Sequence, residues 1–502
     1  MKRFWSRGAL SSALICCLLA LTPGRILFGQ AAGASISGRV TDSSGAGIPE
    51  APITIKNIGT SATRTVITDT QGRYLVPDLA IGSYEVSATK MGFQTAVRQG
   101  ITLTVGSAPV VDFQLAIGQT SETVNVEATV SQVETNTSAV SSLVNQTQMR
   151  ELPLNGRNFE QLILLAPGVS TYPAGGSSAL TSVANAYSIA GTRPEGYANL
   201  LDGEDVLNYW QRNAGADVTG TSLGVESIAE FQTLTGTYGA QFGGNGGAIN
   251  AVTKSGTNDF HGSAYEFFRN SDLDARGFFD AGSPPPFRRN QFGGSIGGPI
   301  KKDKVFFFGN YEGIRQVLDT TYVNTVPSQA LHQGIYNGSP YPVNQASAAM
   351  LALYPLPNGG LINQNEGFYD YVGAQTSPEN FFITRIDYNI STKDSLFGRY
   401  QFDFGTRTNY TNLGLWPTFD VTHNQFLTVG ERHIFSPNVV NQFYSSFSRP
   451  VTTESQPTEH SALQIFTPAR EDVYIAMPIG LSPLGASFIN PFRYVQKRKK
   501  TT

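Results

Sequence analysis

The chain of 502 residues is poor in cysteine and in long apolar runs. Its two cysteines, Cys16 and Cys17, follow Ile15, which is not the small residue expected before a lipidated cysteine. The rest of the chain therefore has no disulfide scaffold, thiol nucleophile or cysteine metal site. Past residue 35 no apolar run is long enough for a spanning helix, so membrane insertion there would need a closed β-barrel.

Charge is also scarce. Charged residues make up 15% of the chain and the formal net charge is −3, which leaves no basic excess for nucleic acid. Glycine, with 52 residues, and aromatic residues, at 11%, are abundant instead. Soluble enzymes carry about a quarter charged residues, so this composition favours β structure.

Residues 1–34 predict a secretory signal peptide. Basic residues precede an apolar segment from about Ala9 to Leu21, and small residues follow it. A membrane anchor would need roughly 20 apolar residues, more than this segment has. We expect cleavage near Ala31 to Ser35.

Short alternating strands fill residues 35–117. The stretches SISGRVTD, PITIKN and SYEVSATK each place apolar residues on one face, with turn residues between them, which predicts an all-β sandwich. The segments GRVTD, TDTQGRY, LAIGSYEV and KMGF resemble the carboxypeptidase regulatory-like domain, a transthyretin-like or carbohydrate-binding-like fold. The resemblance implies no peptidase chemistry, and the region has no histidine. A glycan- or partner-binding role and a spacer role both stay open.

The next segment, SETVNVEATV at residues 121–130, alternates apolar and polar residues, and taken alone it predicts one more strand. It resembles the TonB box, a short extended segment through which an outer-membrane receptor pairs edge-on with an energy-coupling protein. The resemblance implies a coupling segment at residues 121–128. Its candidate residues are Glu122, Thr123, Val124, Asn125 and Val126.

Residues 118–257 carry several motifs in a fixed order: LPLNGR, IAGTR, LLDG, IAEFQ, YGAQFG and GGAINAVTKSGTN, before FHGSAYEFFRN. This order resembles the plug domain and first barrel strand of TonB-dependent outer-membrane receptors and, with the front sandwich, their Oar-like group. The implied plug residues are Leu152, Pro153, Asn155, Gly156, Arg157, Gly191, Arg193, Asp202 and Gly203. The implied junction between plug and barrel is formed by Lys254, Ser255, Gly256, Thr257 and Asn258.

Local patterns add detail to this region. Either Asn155 or Asn158 is predicted to cap a short helix with Phe159 on its apolar face. The glycines from 243 to 247 predict close packing of plug against neighbouring chain. A phosphate-binding loop is the alternative for these glycines, but neither nucleotide fingerprint has the required spacing.

From residue 258 to 502 we expect part of an outer-membrane barrel. In FFITRIDYNI the apolar Phe382 and Ile386 alternate with Arg385 and Asp387, and SLFGRYQFDF repeats the pattern. Alternating segments of about ten residues are typical of outer-membrane strands, although soluble antiparallel sheets alternate too. The polar segment 327–379 is predicted to be an extracellular loop.

The motifs of catalysis and metal binding are missing. The five histidines are scattered, with no HExxH or HxxEH pairing, and no GxSxG elbow occurs. His423 and His433 are assigned to wall strands, and Glu204 and Asp205 to a turn in which they are solvated or hydrogen-bonded to backbone. We therefore expect no enzyme activity, no cofactor and no metal site.

In fold, we expect a mainly β chain with an N-terminal β-sandwich, an α+β plug and the first strands of an antiparallel transmembrane β-barrel. The resemblance implies uptake of an oligosaccharide, a peptide or a metal chelate across the outer membrane, with the sandwich in the periplasm. The implied partners are a TonB-type energy-coupling protein, outer-membrane lipid and this small ligand, without nucleic acid. An outer-membrane adhesin and a secreted carbohydrate-binding protein are the alternatives.

The strand count suggests an incomplete barrel. About seven strands can be recognised after residue 258, whereas barrels that enclose a plug have about 22. The chain ends in a run of cations, Lys497 to Lys500, rather than in an aromatic strand. We expect that the chain is a C-terminally truncated receptor.

Overall fold

The computed structural model describes most of the chain between residues 33 and 455. The described residues are 33–118, 123–127, 139–171, 187–193, 196–206, 218–219, 223–278, 280, 283–410, 413–415, 417–436 and 439–455. The predicted signal peptide up to residue 32, Glu122 and the basic tail lie outside them. Within the described residues, no helix has both the length and the apolar character to cross a membrane.

The first eight strands build the front sandwich. They are β1 (Ala34–Thr41), β2 (Pro52–Asn57), β3 (Thr63–Ile67), β4 (Arg73–Leu79), β5 (Gly82–Ala88), β6 (Thr95–Leu103), β7 (Phe113–Gln114) and β8 (Thr123–Glu127). One sheet has the order β4-β1-β7 and the other the order β3-β2-β5-β6-β8. Alternate residues such as Ile36, Ile53 and Ile101 are fully buried in a shared core. The predicted N-terminal sandwich is confirmed.

A second, mixed sheet follows. Its region contains β9 (Val140–Asn145), α1 (Gln146–Glu151), β10 (Val169–Thr171), β11 (Tyr187–Ile189), β12 (Ala198–Leu201), β13 (Glu204–Asp205), β14 (Ile228–Gly236) and β15 (Ala248–Thr253). Five of these strands pair in the order β13-β12-β15-β14-β9, and β10 pairs with β11. Only the β12–β15 pairing within the five-stranded sheet is parallel. We call this region the plug.

The predicted helix cap and glycine packing both occur in the plug. A 3₁₀ helix spans Phe159–Leu165, and the Asn158 side chain accepts a hydrogen bond from the backbone N–H of Glu160 at 3.1 Å. Gly244 has a φ of +75°, and a Cβ there would lie 2.5 Å from the carbonyl oxygen of Gly247. Any side chain at this position would therefore displace backbone.

The remaining strands form the wall and its loops. They are β16 (His261–Asn270), β17 (Phe287–Lys301), β18 (Val305–Leu318), β19 (Thr320–Pro327), β20 (Ile335–Tyr336), β21 (Ser339–Pro340), β22 (Glu366–Gly373), β23 (Gln375–Asn389), β24 (Asp394–Asn409), β25 (Thr418–Ser436), β26 (Val439–Arg449) and β27 (Thr452–Ser455). Two short helices, α2 (Gln329–His332) and α3 (Gln345–Leu351), lie between β19 and β22. The wall sheet is antiparallel in the order β16-β17-β18-β23-β24-β25-β26, with β27 also paired to β25.

The two faces of the wall differ as predicted. On β23, Phe382 is 41% exposed and Ile386 48% exposed, while Phe381 and Ile383 are buried. The buried face looks towards the plug and also carries Arg385. An apolar outer face and a partly polar inner face are what a wall strand needs when lipid lies on one side only.

The predicted outer loop at 327–379 is only partly correct. The segment contains α2, α3 and β22, and β23 already begins at Gln375. β22 pairs with β19 as an antiparallel hairpin, from Thr320 opposite Gly373 to Pro327 opposite Glu366. Aromatic and aliphatic residues such as Phe368 and Val372 occur in this pair of strands, so its sequence was not purely polar and the strands were missed within a segment assigned as a loop.

The junction between plug and wall leaves no room for a side chain at Gly256. A Cβ there would lie 2.4 Å from the carbonyl oxygen of Phe307 and 2.6 Å from that of Gly298. Both are backbone atoms of the wall, so neither can rotate away.

We predict that Gly256→Ala destabilises the folded chain by about 1–3 kcal/mol, because the wall backbone must shift. Urea unfolding in lipid vesicles, followed by tryptophan fluorescence, measures the effect. Gly398→Ala is the matched control, since a Cβ at Gly398 meets nothing within 4 Å. Equal unfolding midpoints for the two variants would contradict the packing described here.

Candidate functional site

The candidate coupling segment lies at the edge of the sandwich. Residues 123–127 form β8, which pairs in parallel with β6, so that Ala96 lies opposite Val124 and Arg98 opposite Val126. The backbone is extended, as strand addition by a partner requires. One of its edges is already paired within the chain. Sequence reasoning missed this pairing, because a contact with a distant strand leaves no local pattern.

The LPLNGR motif forms a helix end and a tight turn. The N–H of Leu152 donates to the carbonyl oxygen of Gln148 at 3.1 Å, and Pro153 follows where α1 cannot continue. Asn155 begins the turn, and Gly156 adopts a φ of 68°. The turn thereby brings Arg157 to the inner face of the wall.

Arg157 joins the plug to the first wall strand. Its Nη2 donates to Glu226 Oε1 at 2.8 Å. The guanidinium lies 4.1 Å from the ring centroid of Tyr265 and 4.6 Å from that of Phe267, both on β16. Gly156 contributes its carbonyl oxygen, which accepts from Gln291 Nε2 of β17 at 3.1 Å. Ionic, cation–π and hydrogen-bond contacts therefore act on one turn.

Glu226 also accepts hydrogen bonds from Lys254 and Ser263. Lys254, the first junction residue, donates to Glu226 Oε2 at 3.3 Å, and the hydroxyl of Ser263 on β16 does so at the same distance. Burial raises the pKa of Glu226, but Lys254 and Arg157 outweigh burial and hold the pKa below its usual range. We call Glu226, Arg157 and Lys254 the junction group.

The LLDG motif forms a second buried ionic group. Asp202 and Gly203 turn the chain between β12 and β13 with φ values of 49° and 85°. Asp202 Oδ1 accepts from Arg385 Nη1 at 3.0 Å, and Oδ2 accepts from Arg399 Nη1 at 3.1 Å. The carboxylate also accepts from the backbone N–H of Thr253 at 2.9 Å. Arg385 and Arg399 belong to wall strands β23 and β24.

Glu204 corrects the prediction of a turn in which it is solvated or hydrogen-bonded to backbone. It lies in β13, is 6% exposed, and its Oε2 accepts from Arg399 Nη2 at 2.6 Å and from the hydroxyl of Thr428. Arg399 itself is 0% exposed. No local pattern predicts this pairing, because Arg399 is almost two hundred residues away along the chain. We call Asp202, Glu204, Arg385 and Arg399 the turn group.

The turn group keeps Asp202 ionised. Burial alone raises the pKa of a carboxyl, because a low-dielectric surrounding disfavours the charge. Arg385 and Arg399 more than offset this effect and hold the pKa of Asp202 below its usual range. The plug turn is thus bound to the wall by a charge that cannot be left unpaired at low cost.

The rest of the junction contacts the front sandwich. The backbone N–H of Asn258 donates to the carbonyl oxygen of Gly59 at 2.8 Å. Its side chain donates to Asp303 Oδ1 at 2.7 Å. Ser255 and Thr257 are half-buried beside Gly256. The chain thus leaves the plug at a point that the sandwich and the first wall turns both touch.

Two more contacts hold the sandwich in place. Arg432 of β25 donates to the carbonyl oxygen of Asp78 at 2.8 Å. The N–H of Val105, just past β6, donates to Glu230 of β14 in the plug. Burial raises the pKa of Glu230 to about 7.

The IAGTR motif joins neither ionic group. Gly191 takes a φ of +76° in the turn after β11, and Arg193 is exposed. Thr192 between them lies against Gly246, where a Cβ would be 2.2 Å from its methyl group. In the described part of the chain this motif therefore shapes the plug without binding it to the wall.

The histidines of β25 lie on the wall as expected. His433 Nδ1 lies 2.6 Å from Asp394 Oδ1. Asp394, Glu431 and His433 form a group whose ligand atoms lie within 4.8 Å of one another, a spacing that could accept a metal ion. Sequence reasoning missed this group, because its members come from two strands.

Comparisons with known proteins agree with this architecture. The family model for the carboxypeptidase regulatory-like domain matches residues 35–116, and the model for an outer membrane beta barrel domain matches residues 252–490. The TonB-dependent transporter Oar of Myxococcus xanthus is 28% identical over 307 residues, which are 57% of this chain and 27% of that protein.

Other relatives are more distant. The probable TonB-dependent siderophore receptor PirA of Acinetobacter baumannii is 27% identical over 34% of this chain and 22% of its own length. The chain thus spans about a quarter of the length of these curated relatives. Among solved structures, the outer membrane transporter YddB from Escherichia coli gives a TM-score of 0.41 at 14% identity, over 62% of this chain and 39% of that one.

We predict that Arg399→Ala loosens the plug turn by about 3–5 kcal/mol, because it leaves Asp202 and Glu204 buried with less compensating charge. Hydrogen exchange of the backbone amides at 200–205, in lipid vesicles, should become faster. Arg449→Ala is the control, since Arg449 is an exposed wall arginine. Unchanged exchange in Arg399→Ala would show that the turn group does not hold the plug.

We predict that contact between sandwich and plug weakens as pH rises from about 4.5 to 7. Burial raises the pKa of Glu230 to about 7, although the hydrogen bond from the Val105 N–H lowers it, so the closed contact favours the neutral carboxyl and loses stability as pH rises from the ordinary pKa through 7. Exchange of the Val105 amide, corrected for intrinsic pH dependence, should rise over that range. Glu230→Gln should remove the pH dependence of Val105 exchange, whereas Glu50→Gln, at an exposed position, should keep it. A pH dependence that persists in Glu230→Gln would show that Glu230 is not its cause.

Proposed function

Because the chain is an outer-membrane homologue of the TonB-dependent transporter Oar, with a carboxypeptidase regulatory-like domain and an outer membrane beta-barrel domain, we propose that it serves energy-coupled uptake. In this proposal an energy-coupling protein pulls residues 121–128, and the plug moves within the wall to admit a ligand. In the same proposal, residues 35–117 form the periplasmic sandwich, residues 118–257 form the plug, and residues 258–502 form part of the barrel.

The buried turn group is the observation that best supports transport. Asp202 of the plug lies between Arg385 and Arg399 of the wall, at 3.0 and 3.1 Å. Ion pairs and hydrogen bonds can be exchanged one at a time for water, unlike an apolar core, which resists wetting. A plug held in this way can open locally at a free energy below that of global unfolding.

The junction group lies beside the turn group, at the same end of the plug sheet, because Lys254 directly follows Thr253, which donates to Asp202. Lys254 and Glu226 meet where β15 leads to the first wall strand, and Arg157 attaches the LPLNGR turn beside them. We assign these residues to keeping the junction closed while the turn group opens. The remaining motif residues, Gly191 and Arg193, are assigned to the shape of the plug.

The alternatives have less support. A secreted carbohydrate-binding protein has no use for a wall with exposed aromatic and aliphatic side chains, such as Phe443 at 60% exposure. An adhesin needs no plug bound by buried charges. The curated relatives are transporters and receptors rather than enzymes. The ligand is assigned only as a small solute, for which an oligosaccharide, a peptide and a metal chelate are the candidates.

We predict that Val124→Pro lowers binding of a purified periplasmic domain of a TonB-type protein by about tenfold or more. Proline removes a backbone donor and fixes φ, which disfavours strand addition. Biolayer interferometry on the full chain in detergent measures the affinity. Val130→Pro, outside residues 121–128, is the control and should bind as wild type. Equal affinities of Val124→Pro and wild type would exclude residues 123–127 as the coupling segment.

A further inference from the structure

The candidate coupling segment already has a partner within the chain. Along the whole of β8 the register with β6 is unbroken, from Thr95 opposite Thr123 to Gln99 opposite Glu127. Strand addition by another protein uses the backbone N–H and C=O groups of the added segment. On the side facing β6 these groups lie in the sandwich sheet.

The strand that holds this segment is itself fixed to the plug. β6 ends at Leu103, and the N–H of Val105 donates to Glu230 of plug strand β14. The sandwich is also fixed to the wall, where Arg432 donates to the carbonyl oxygen of Asp78 at 2.8 Å. The coupling segment is therefore held beside the plug and the wall rather than on an independently moving arm.

We propose that the front sandwich is an intramolecular binding site for the coupling segment. β6 holds residues 123–127 as a parallel edge strand, and the energy-coupling partner has to displace them from β6 before it can pull on the plug. This inference rests on the proposed function, in which residues 123–127 couple the chain to that partner.

Displacement costs the sandwich little. β8 is a short strand at a sheet edge, and parallel pairing is slightly less stable per residue than antiparallel pairing. Without β8, β6 keeps its antiparallel pairing with β5. The described core extends from Ala34 to Leu115, in strands that precede β8. The sandwich can thus stay folded and docked after it releases the segment.

The released segment stays connected to the plug. Residues 128–138 can span at most about 40 Å between β8 and β9. Among the described strands, β9 is the edge strand of the plug sheet and pairs only with β14, from Asn145 opposite Glu230 to Val140 opposite Gly236. Tension on the segment therefore reaches first the plug strand that has a single neighbour.

A cysteine pair tests whether β6 holds the segment. Gln99→Cys with Glu127→Cys places two cysteines opposite each other on adjacent strands. Adjacent strands lie about 4.8 Å apart, and this spacing falls within the Cα–Cα range of a disulfide. The native Cys16 and Cys17 precede the sandwich, and single-cysteine variants control for them. We expect a cross-link in outer membranes under mild oxidation. The out-of-register pair Thr102→Cys with Glu127→Cys should give far less, and equal yields from the two pairs would overturn the proposal.

Binding of a purified TonB-type periplasmic domain tests displacement. The oxidised Gln99→Cys, Glu127→Cys chain should bind it about tenfold or more weakly than the same chain after reduction. Oxidation should not affect the single-cysteine variants. Equal binding by the oxidised and reduced chains would overturn the inference, because the partner would then add to the outer edge of β8 while β6 keeps the inner one.

Failure of the proposed function gives a different result. If the Val124→Pro chain and the wild type bind the domain equally, or if neither binds it, residues 123–127 are not the coupling segment. If Val124→Pro impairs binding while the oxidised pair binds normally, the coupling role stands and only displacement from β6 is wrong.

Discussion

The position of the plug depends on one buried carboxylate. Asp202 is 4% exposed, and a charge in such a place is tolerated only when opposite charges and hydrogen bonds surround it. Arg385 and Arg399 supply the charges from two adjacent wall strands, and Thr253 supplies the backbone donor. The wall register therefore determines where the plug turn can lie, because a shift of either strand by one residue would turn its guanidinium to the lipid face.

The interface between plug and wall combines apolar packing with buried polar contacts. Its apolar part includes a small cluster in which Leu223 of the plug packs against Ile314, Phe381 and Ile383 of the wall. In the proposed transport, water replaces the polar contacts of the turn group one at a time, so that opening does not require a large apolar surface to be wetted at once. The same charges give specificity, since a plug displaced by a few ångströms would leave Arg399 buried without its carboxylates.

The sequence predicted features that depend on neighbours along the chain. The alternation of Phe382 and Arg385 is local, because one face of β23 meets lipid and the other meets the plug. The Asp-Gly turn at Asp202 and the cap at Asn158 are also local. The burial of Glu204 could not be predicted, because its partners Arg399 and Thr428 come from strands far along the chain. For the same reason a sequence can identify an extended segment at 123–127 but not the strand that pairs with it.

The pairing of β8 with β6 also protects the edge of the sandwich sheet. An unpaired sheet edge is a template for pairing with other chains, and β6 would present such an edge if residues 123–127 were absent. An extended segment that can add to a partner's sheet through backbone hydrogen bonds can pair with that edge in the same way. Covering the edge lowers the free energy of the held state, so release is favoured only when a partner offers the segment a better strand. In the proposed mechanism the sandwich therefore makes coupling conditional on the partner.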